Sequence, residues 1–161
     1  MLPRLDCTTA FWTSLVAELY RRGAEQTEAG ALLLGRRLSD GTRRLIEPAY
    51  YDDIDPNALA RGYVYLDRRR LGGVWARCRG AGLEVVADVH THPGLALQSL
   101  SDRDNPMMPR AGHIALILPH YARAPIALQE IGIYEYLSNS RWQTLTDRHR
   151  PRDVLRFDEA A

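Results

Sequence analysis

The spacing of apolar residues predicts an amphipathic helix near the N-terminus. Thr8 or Thr9 is positioned to cap this helix, and Gly23 is a natural residue for ending it, so we expect it to run to about residue 22. Apolar residues recur every fourth position, which gives one stripe for burial, at Phe11, Leu15 and Leu19, with Trp12 and Val16 beside it.

Several later segments have the composition of strands. The run from Ala31 to Leu34 is apolar at every position, which is typical of a central strand covered on both faces. Residues 43–51 are expected to pair with it as a hairpin through the turn-rich sequence Ser39-Asp40-Gly41. Further strands are predicted at residues 113–118, 128–136 and 141–146.

The remaining segments are predicted as a loop, a helix and a tail. Residues 52–62 are acidic and contain Pro56, so we expect a loop. Residues 66–79 are expected to form a second helix with apolar positions at Leu71, Val74, Trp75 and Cys78. The charged tail, residues 147–161, is expected to be a short helix or partly disordered. No repeat or linker divides the chain, so residues 1–161 are predicted as a single domain.

The segment from Val85 to Met107 carries the strongest chemical signal. It begins as a β-rich apolar run and places His90 and His92 two residues apart. Side chains at positions i and i+2 of a strand point to the same face, so both imidazoles can converge on one metal ion. Pro93 and Gly94 end this strand.

A third metal ligand is expected shortly after the histidine pair. Ser99 and Asp102 have the spacing of a capping box, with aspartate in place of glutamate or glutamine, which places Asp102 at the head of a helix. Ser101 and Asp104 have the same spacing, so Asp104 is the rival ligand. Two histidines, one aspartate and an open fourth position describe a catalytic zinc site with one Zn²⁺ per chain.

Such a site also needs a base and a group that stabilises an oxyanion. Glu28 is our candidate base, because a glutamate at the edge of an apolar strand is poorly solvated and its pKa rises. Ser99 is the candidate donor to the oxyanion. A surface glutamate and a simple helix cap are the alternative interpretations. Asp88 is not expected to be a ligand, and His113 is expected in the core.

Composition narrows the class of protein. Hydrophobic residues make up 45% of the 161 residues and the formal net charge is +1, so no global charge favours nucleic acid or membrane binding. Two cysteines do not make a disulfide framework, and Cys78 is expected in the core. Neither a signal peptide nor a membrane-spanning run is recognised, so the prediction is a cytoplasmic protein.

The residues singled out above resemble the JAB/MPN family of zinc isopeptidases. The JAMM motif of that family is an upstream glutamate, then His-x-His-Pro, then Ser-x-x-Asp. The first element matches the segment from Glu28 to Gly35, the second matches residues 90–93, and the third matches residues 99–102. The five residues between Pro93 and Ser99 are one fewer than in many relatives. The sequence looks especially like short stand-alone bacterial members.

The resemblance implies a fold, a site and an activity. The fold is α/β, with a mixed, strongly curved sheet flanked by helices and layering similar to that of cytidine deaminases. The site has Glu28 as base, Ser99 as oxyanion stabiliser, and zinc ligands at His90, His92 and Asp102.

The implied activity is that of a zinc metalloprotease that removes a ubiquitin-like protein from a conjugate or trims its C-terminus. The partners would be that protein and enzymes of its conjugation pathway, which in some relatives has an antiphage role. A non-catalytic scaffold of the same fold, or a metallopeptidase that processes a sulfur-carrier protein, is the alternative.

Overall fold

An eight-stranded mixed β-sheet is the framework of the protein, and the computed structural model describes residues 2–158. The strands are β1 (Leu5–Thr8), β2 (Gly30–Arg37), β3 (Arg43–Tyr50), β4 (Glu84–Thr91), β5 (Ile114–Leu118), β6 (Gly132–Ser138), β7 (Arg141–Thr144) and β8 (Leu155–Asp158). The α-helices are α1 (Thr9–Gly23), α2 (Tyr51–Ile54), α3 (Gly72–Ala81), α4 (Leu100–Asp104) and α5 (Pro151–Val154). The α/β class predicted from the sequence is confirmed.

The strand order is β7-β6-β5-β4-β2-β3-β1-β8, and the sheet is curled. Strand β4 runs parallel to β5, and β1 runs parallel to both β3 and β8, while the other neighbouring pairs are antiparallel. The predicted hairpin of β2 and β3 is therefore present. The sheet is mixed, as the family resemblance implied.

Each face of the sheet is covered by its own hydrophobic cluster. Ala31 and Leu33 of β2 pack into the cluster that includes α1, whereas Leu32 and Leu34 pack into the cluster that includes α3. Successive side chains of a strand point to opposite faces, so a central strand covered on both sides has no polar positions. This is why residues 31–34 are all apolar.

Two predicted helices end or begin at different residues from those expected. Helix α1 has Thr8 as its cap, but it includes Gly23, and Ala24 takes the left-handed conformation that ends it, with φ 52°. Helix α3 begins at Gly72 instead of residue 66. The side chain of Asp67 accepts from the backbone N–H of Arg69, which caps a short 3₁₀ turn at residues 68–70. Leu71, Val74 and Cys78 are buried, as predicted.

The other differences lie in short segments. The predicted loop 52–62 starts with the single turn α2. The predicted strand 128–136 begins only at Gly132, because residues 128–130 form a 3₁₀ turn. The tail contains the expected short helix, α5, but residues 155–158 also form β8. Residues 159–161 lie outside the described part of the chain. No helix within residues 2–158 has the length and apolar character needed to cross a membrane.

Candidate metal centre

The C-terminal end of β4 positions the two histidines. His90 lies within β4, between Gly30 of β2 and Ile117 of β5. His92 follows the strand, and its backbone N–H donates to the carbonyl of Leu118 at 2.9 Å, which continues the ladder with β5. The two imidazoles converge, with their Nε2 atoms 3.0 Å apart. The i, i+2 spacing therefore produces the expected convergence.

The start of α4 places Asp102 against both imidazoles. Its two carboxylate oxygens lie 3.3 Å from Nε2 of His90 and 3.1 Å from Nε2 of His92. The predicted capping box is present: the Asp102 N–H donates to Ser99 Oγ at 3.1 Å, and the Ser99 N–H donates to the Asp102 carboxylate at 2.8 Å. Asp102 is thus oriented by its own helix cap, and the imidazole contacts belong to Asp102 and not to the rival Asp104.

The pairing of β2 with β4 brings Glu28 to the same place. Gly30 is opposite His90 in the antiparallel ladder. Ala29 and Thr91 continue it: the Thr91 N–H donates to the Ala29 carbonyl at 2.9 Å, and the Ala29 N–H donates to Thr91 Oγ1 at 3.0 Å. Glu28 is therefore held near His92, with Oε1 3.9 Å from Nε2.

The absence of a side chain at Gly30 makes room next to His90. A Cβ atom at position 30 would lie 2.5 Å from Cε2 of Tyr51 and 2.6 Å from the carbonyl oxygen of Val89. Tyr51 is fully buried, so its ring has no open space to move into. Glycine at this position allows the aromatic ring and the strand to approach each other beside the histidines.

Burial and neighbouring charges shift the pKa values of Glu28, Asp102 and His90. Burial raises the pKa of Glu28, and the two imidazoles oppose this rise only in part. Burial alone would also raise the pKa of Asp102. Hydrogen bonds from His90 and His92 outweigh this effect, so the pKa of Asp102 is held far below its usual range. Burial disfavours the charged form of His90, yet its contact with Asp102 leaves the pKa of His90 raised.

The donor set fits a divalent metal ion. Zinc binds imidazole nitrogen and carboxylate oxygen at about 2.0–2.2 Å, so donor atoms separated by 3.0–3.3 Å can all contact one ion. Each of these nitrogens carries a lone pair in the tautomer that leaves it unprotonated, and in that tautomer both can bind the same ion. Glu28, His90 and His92 likewise present ligand atoms within 4.8 Å of one another.

Asp88 and His113, which the sequence analysis did not assign as metal ligands, contact each other in the interior. Asp88 lies on β4 beneath the histidines, and its carboxylate contacts His113 Nε2 at 2.6 Å. Both side chains are almost fully buried, at 4% and 5% exposure. His113 is therefore buried, as predicted, and it engages the carboxylate of Asp88, which lines the same cleft as His90.

The candidate metal centre opens into a cleft of about 1070 Å³ on the α3 face of the sheet. One wall is formed by residues 63–68 and the other by residues 98–109, while the floor includes Ala115 and Ile117 of β5. Glu28, His90, Ser99 and Asp102 all line this cleft. The groups with perturbed pKa values are therefore accessible to a ligand, which is typical of functional sites.

Sequence reasoning missed two residues that support the centre. Thr91 is a buried polar residue between the two histidines, and its hydroxyl accepts the bond from Ala29. A polar side chain within an apolar strand is the signal that could have identified it. Trp142 lies on β7 and donates to the carbonyl of Arg103, next to Asp102. Nothing in the sequence indicates this second contact, because it joins segments 39 residues apart.

Comparisons with known proteins agree with this architecture. Residues 12–132 match the model of a family described as prokaryotic homologs of the JAB domain. A protein of Sinorhizobium fredii named "Probable metalloprotease y4jG" is 30% identical over 69 residues, which is 43% of this chain and only 41% of that protein.

Two solution structures share the fold. Protein DSY2949 from Desulfitobacterium hafniense superposes with a TM-score of 0.68 at 17% identity, and a protein from Salinibacter ruber with a TM-score of 0.59 at 19% identity. Each comparison covers 97% of this chain and 94% of the other. Because the family match spans most of the chain and includes Glu28, His90, His92 and Asp102, this protein belongs to the family of prokaryotic homologs of the JAB domain.

Proposed function

We propose that this protein is a zinc-dependent peptidase that cleaves the amide bond at the C-terminus of a ubiquitin-like protein, in a conjugate or in a precursor. The observation that carries the proposal is the convergence of His90, His92 and Asp102, with Glu28 at 3.9 Å from His92. The relative named as a metalloprotease supports the reaction class.

In this proposal His90, His92 and Asp102 hold the zinc ion. When bound, zinc would lower the pKa of a water molecule toward neutrality and so make that water easier to deprotonate. The contacts of Asp102 with the Ser99 N–H keep its carboxylate turned toward the imidazoles. The chain itself then has to supply a proton acceptor and a donor to the oxyanion.

Glu28 is positioned to move the proton. As the water oxygen bonds to the carbonyl carbon, the Glu28 carboxylate takes a proton from that water. When the carbon–nitrogen bond breaks, Glu28 delivers the proton to the nitrogen of the leaving amine, so the carboxylate is regenerated. Burial raises the pKa of Glu28, which makes its carboxylate a stronger base than an exposed one.

Ser99 is able to combine its two predicted roles. Its Oγ accepts the N–H of Asp102 through a lone pair, which leaves the hydroxyl hydrogen free to donate. That hydrogen is our candidate for stabilising the oxyanion on the attacked carbonyl. The helix cap then fixes the position of the oxygen while its proton points elsewhere.

The surface around the cleft supports a protein substrate. Leu95, Leu97 and Leu100 belong to the segment between His92 and Asp102, and they are 69%, 67% and 78% exposed. Neighbouring exposed apolar residues are typical of protein-binding surfaces. We expect a narrow C-terminal tail to enter the cleft between residues 63–68 and 98–109, as an extended peptide does when it binds beside a sheet.

The test uses the isosteric variant Glu28→Gln. The probe is a quenched fluorescent peptide in which a C-terminal Gly-Gly carboxyl is joined to a lysine ε-amine, and a ubiquitin-like protein fused through its C-terminus is the second substrate. We expect cleavage by the wild type, at least a hundredfold loss in Glu28→Gln, and unchanged zinc content in both. Glu84→Gln, an exposed change at the start of β4, is the matched control.

Three results would contradict the proposal. Full activity of Glu28→Gln would remove Glu28 from the mechanism. Absence of bound zinc in the wild type after reconstitution, together with no cleavage, would favour the non-catalytic scaffold. Release of a small amine or amino acid from a sulfur-carrier protein, with no cleavage of the Gly-Gly substrates, would instead favour a metallopeptidase that processes a sulfur-carrier protein.

A further inference from the structure

Helix α4, which carries Asp102, has no hydrophobic anchor of its own. None of its five residues is buried, and Leu100 is 78% exposed. A helix this short is not stable by itself in water. The capping box joins Ser99 to Asp102 within the same segment, so it shapes the turn but does not attach it to the sheet. The position of Asp102 has to be fixed by contacts from outside α4.

One such contact comes from the edge strand β7. The indole N–H of Trp142 donates to the carbonyl oxygen of Arg103, the residue after Asp102, at 3.1 Å. Among the described residues, the next hydrogen bond from a distant side chain to the backbone of this segment is at Pro106, whose carbonyl accepts from the guanidinium of Arg68. Trp142 is therefore the anchor nearer in sequence to Asp102.

Trp142 is itself held in a fixed orientation. Its ring meets that of Tyr136 edge-on, with centroids 5.0 Å apart and an interplanar angle of 71°. Trp142 also packs against a small hydrophobic cluster formed by the buried residues Ala96, Ile117 and Tyr134. The indole N–H thus reaches α4 from a rigid base.

We infer that Trp142 is a positioning residue that fixes Asp102 against the two imidazoles, an inference that rests on the metal centre of the proposed function. Without the indole hydrogen bond, α4 keeps its cap but loses its attachment to β7. Asp102 then spends part of its time away from His90 and His92. Contacts that orient a ligand in this way typically contribute 10- to 100-fold to metal affinity.

The first measurement is the zinc affinity of Trp142→Phe, determined by competition with a chromophoric chelator. Phenylalanine keeps an aromatic ring against Tyr136 but has no N–H to donate. We expect zinc to bind at least tenfold more weakly than in the wild type. Trp75→Phe is the matched control, since Trp75 packs in the separate cluster around α3, and it should bind zinc normally.

A double-mutant cycle with Asp102→Asn separates a positioning role from a general loss of packing. If Trp142 acts through Asp102, Trp142→Phe should weaken zinc binding in the wild type and have little further effect in Asp102→Asn. An equal loss in both backgrounds, or no loss in the wild type, would overturn the inference.

Amide hydrogen exchange in the metal-free protein tests the same anchor independently of zinc. Residues 100–105 should exchange faster in Trp142→Phe than in Trp75→Phe, while β4 and β5 keep their protection. Unchanged exchange in this segment would also overturn the inference. If residues 100–105 exchange faster in Trp142→Phe but the wild type binds no zinc, the anchoring role of Trp142 stands and the proposed metal centre is refuted.

Discussion

Replacing Thr91 with valine tests how the position of Glu28 is maintained. The hydroxyl of Thr91 is 3.0 Å from the backbone N–H of Ala29, in a part of the sheet that water does not reach. Valine has nearly the same shape but no acceptor, so the Ala29 N–H is left buried and unpaired. Such a group costs about 1–3 kcal/mol of folding free energy.

For a chain of this length, each kcal/mol corresponds to about 2–4 °C in Tm. We therefore expect Tm to fall by roughly 2–12 °C in Thr91→Val, with the protein kept metal-free so that zinc binding does not contribute. Cleavage should fall further than zinc affinity, because the lost bond held Ala29, which adjoins Glu28, whereas the backbone N–H of Thr91, between the two histidines, keeps its bond to the Ala29 carbonyl.

Thr91→Ser is the control that keeps the acceptor and loses only a methyl group. It should be less stable than the wild type, through weaker packing, and still cleave substrate. The amide proton of Ala29 reports the bond directly, and we expect it to exchange slowly in the wild type and in Thr91→Ser but faster in Thr91→Val. Equal stability and equal Ala29 protection in Thr91→Val would refute the reasoning.

Two further predictions concern the core. Gly30→Ala should lower the free energy of unfolding, measured in urea, by about 1–3 kcal/mol, because the new Cβ meets Tyr51 and the Val89 carbonyl. Gly73→Ala is the control: position 73 in α3 has open space around it, so this change should raise the free energy of unfolding by about 0.5–1 kcal/mol. Equal effects of the two changes would contradict this prediction. Burial raises the pKa of the Cys7 thiol to about 12, so iodoacetamide at pH 8 should modify Cys7 only after unfolding. Rapid modification of the native protein, measured by mass spectrometry, would be inconsistent with that environment.

The sequence by itself predicted the elements whose signals are local. The i, i+2 spacing of His90 and His92 requires only that the segment be extended, and the capping box requires only four neighbouring residues. The all-apolar run at residues 31–34 likewise identified a central strand. Each of these features depends on backbone geometry over a few residues, so it is visible in the sequence without knowledge of the fold.

The apolar spacing predicted the wrong start for α3, because a nearby polar side chain caps a different turn there. The apolar spacing of Leu71, Val74 and Cys78 predicted a helix from residue 66, but Asp67 caps a 3₁₀ turn and α3 starts only at Gly72. Strands β1 and β8 were not predicted at all. They have four residues each, and they form a parallel pair between the two ends of the chain, which leaves no periodic signal.

Only the tertiary structure decided how the parts of the site come together. The proximity of Glu28 to His92 depends on the register of β2 against β4, and the contact of Trp142 with α4 depends on β7 lying at the sheet edge. The choice between Asp102 and Asp104 beside the imidazoles also needed the orientation of α4. The physical reason is that strand register and helix docking are set by the packing of distant side chains, whereas spacing along the chain fixes only what neighbouring residues can do.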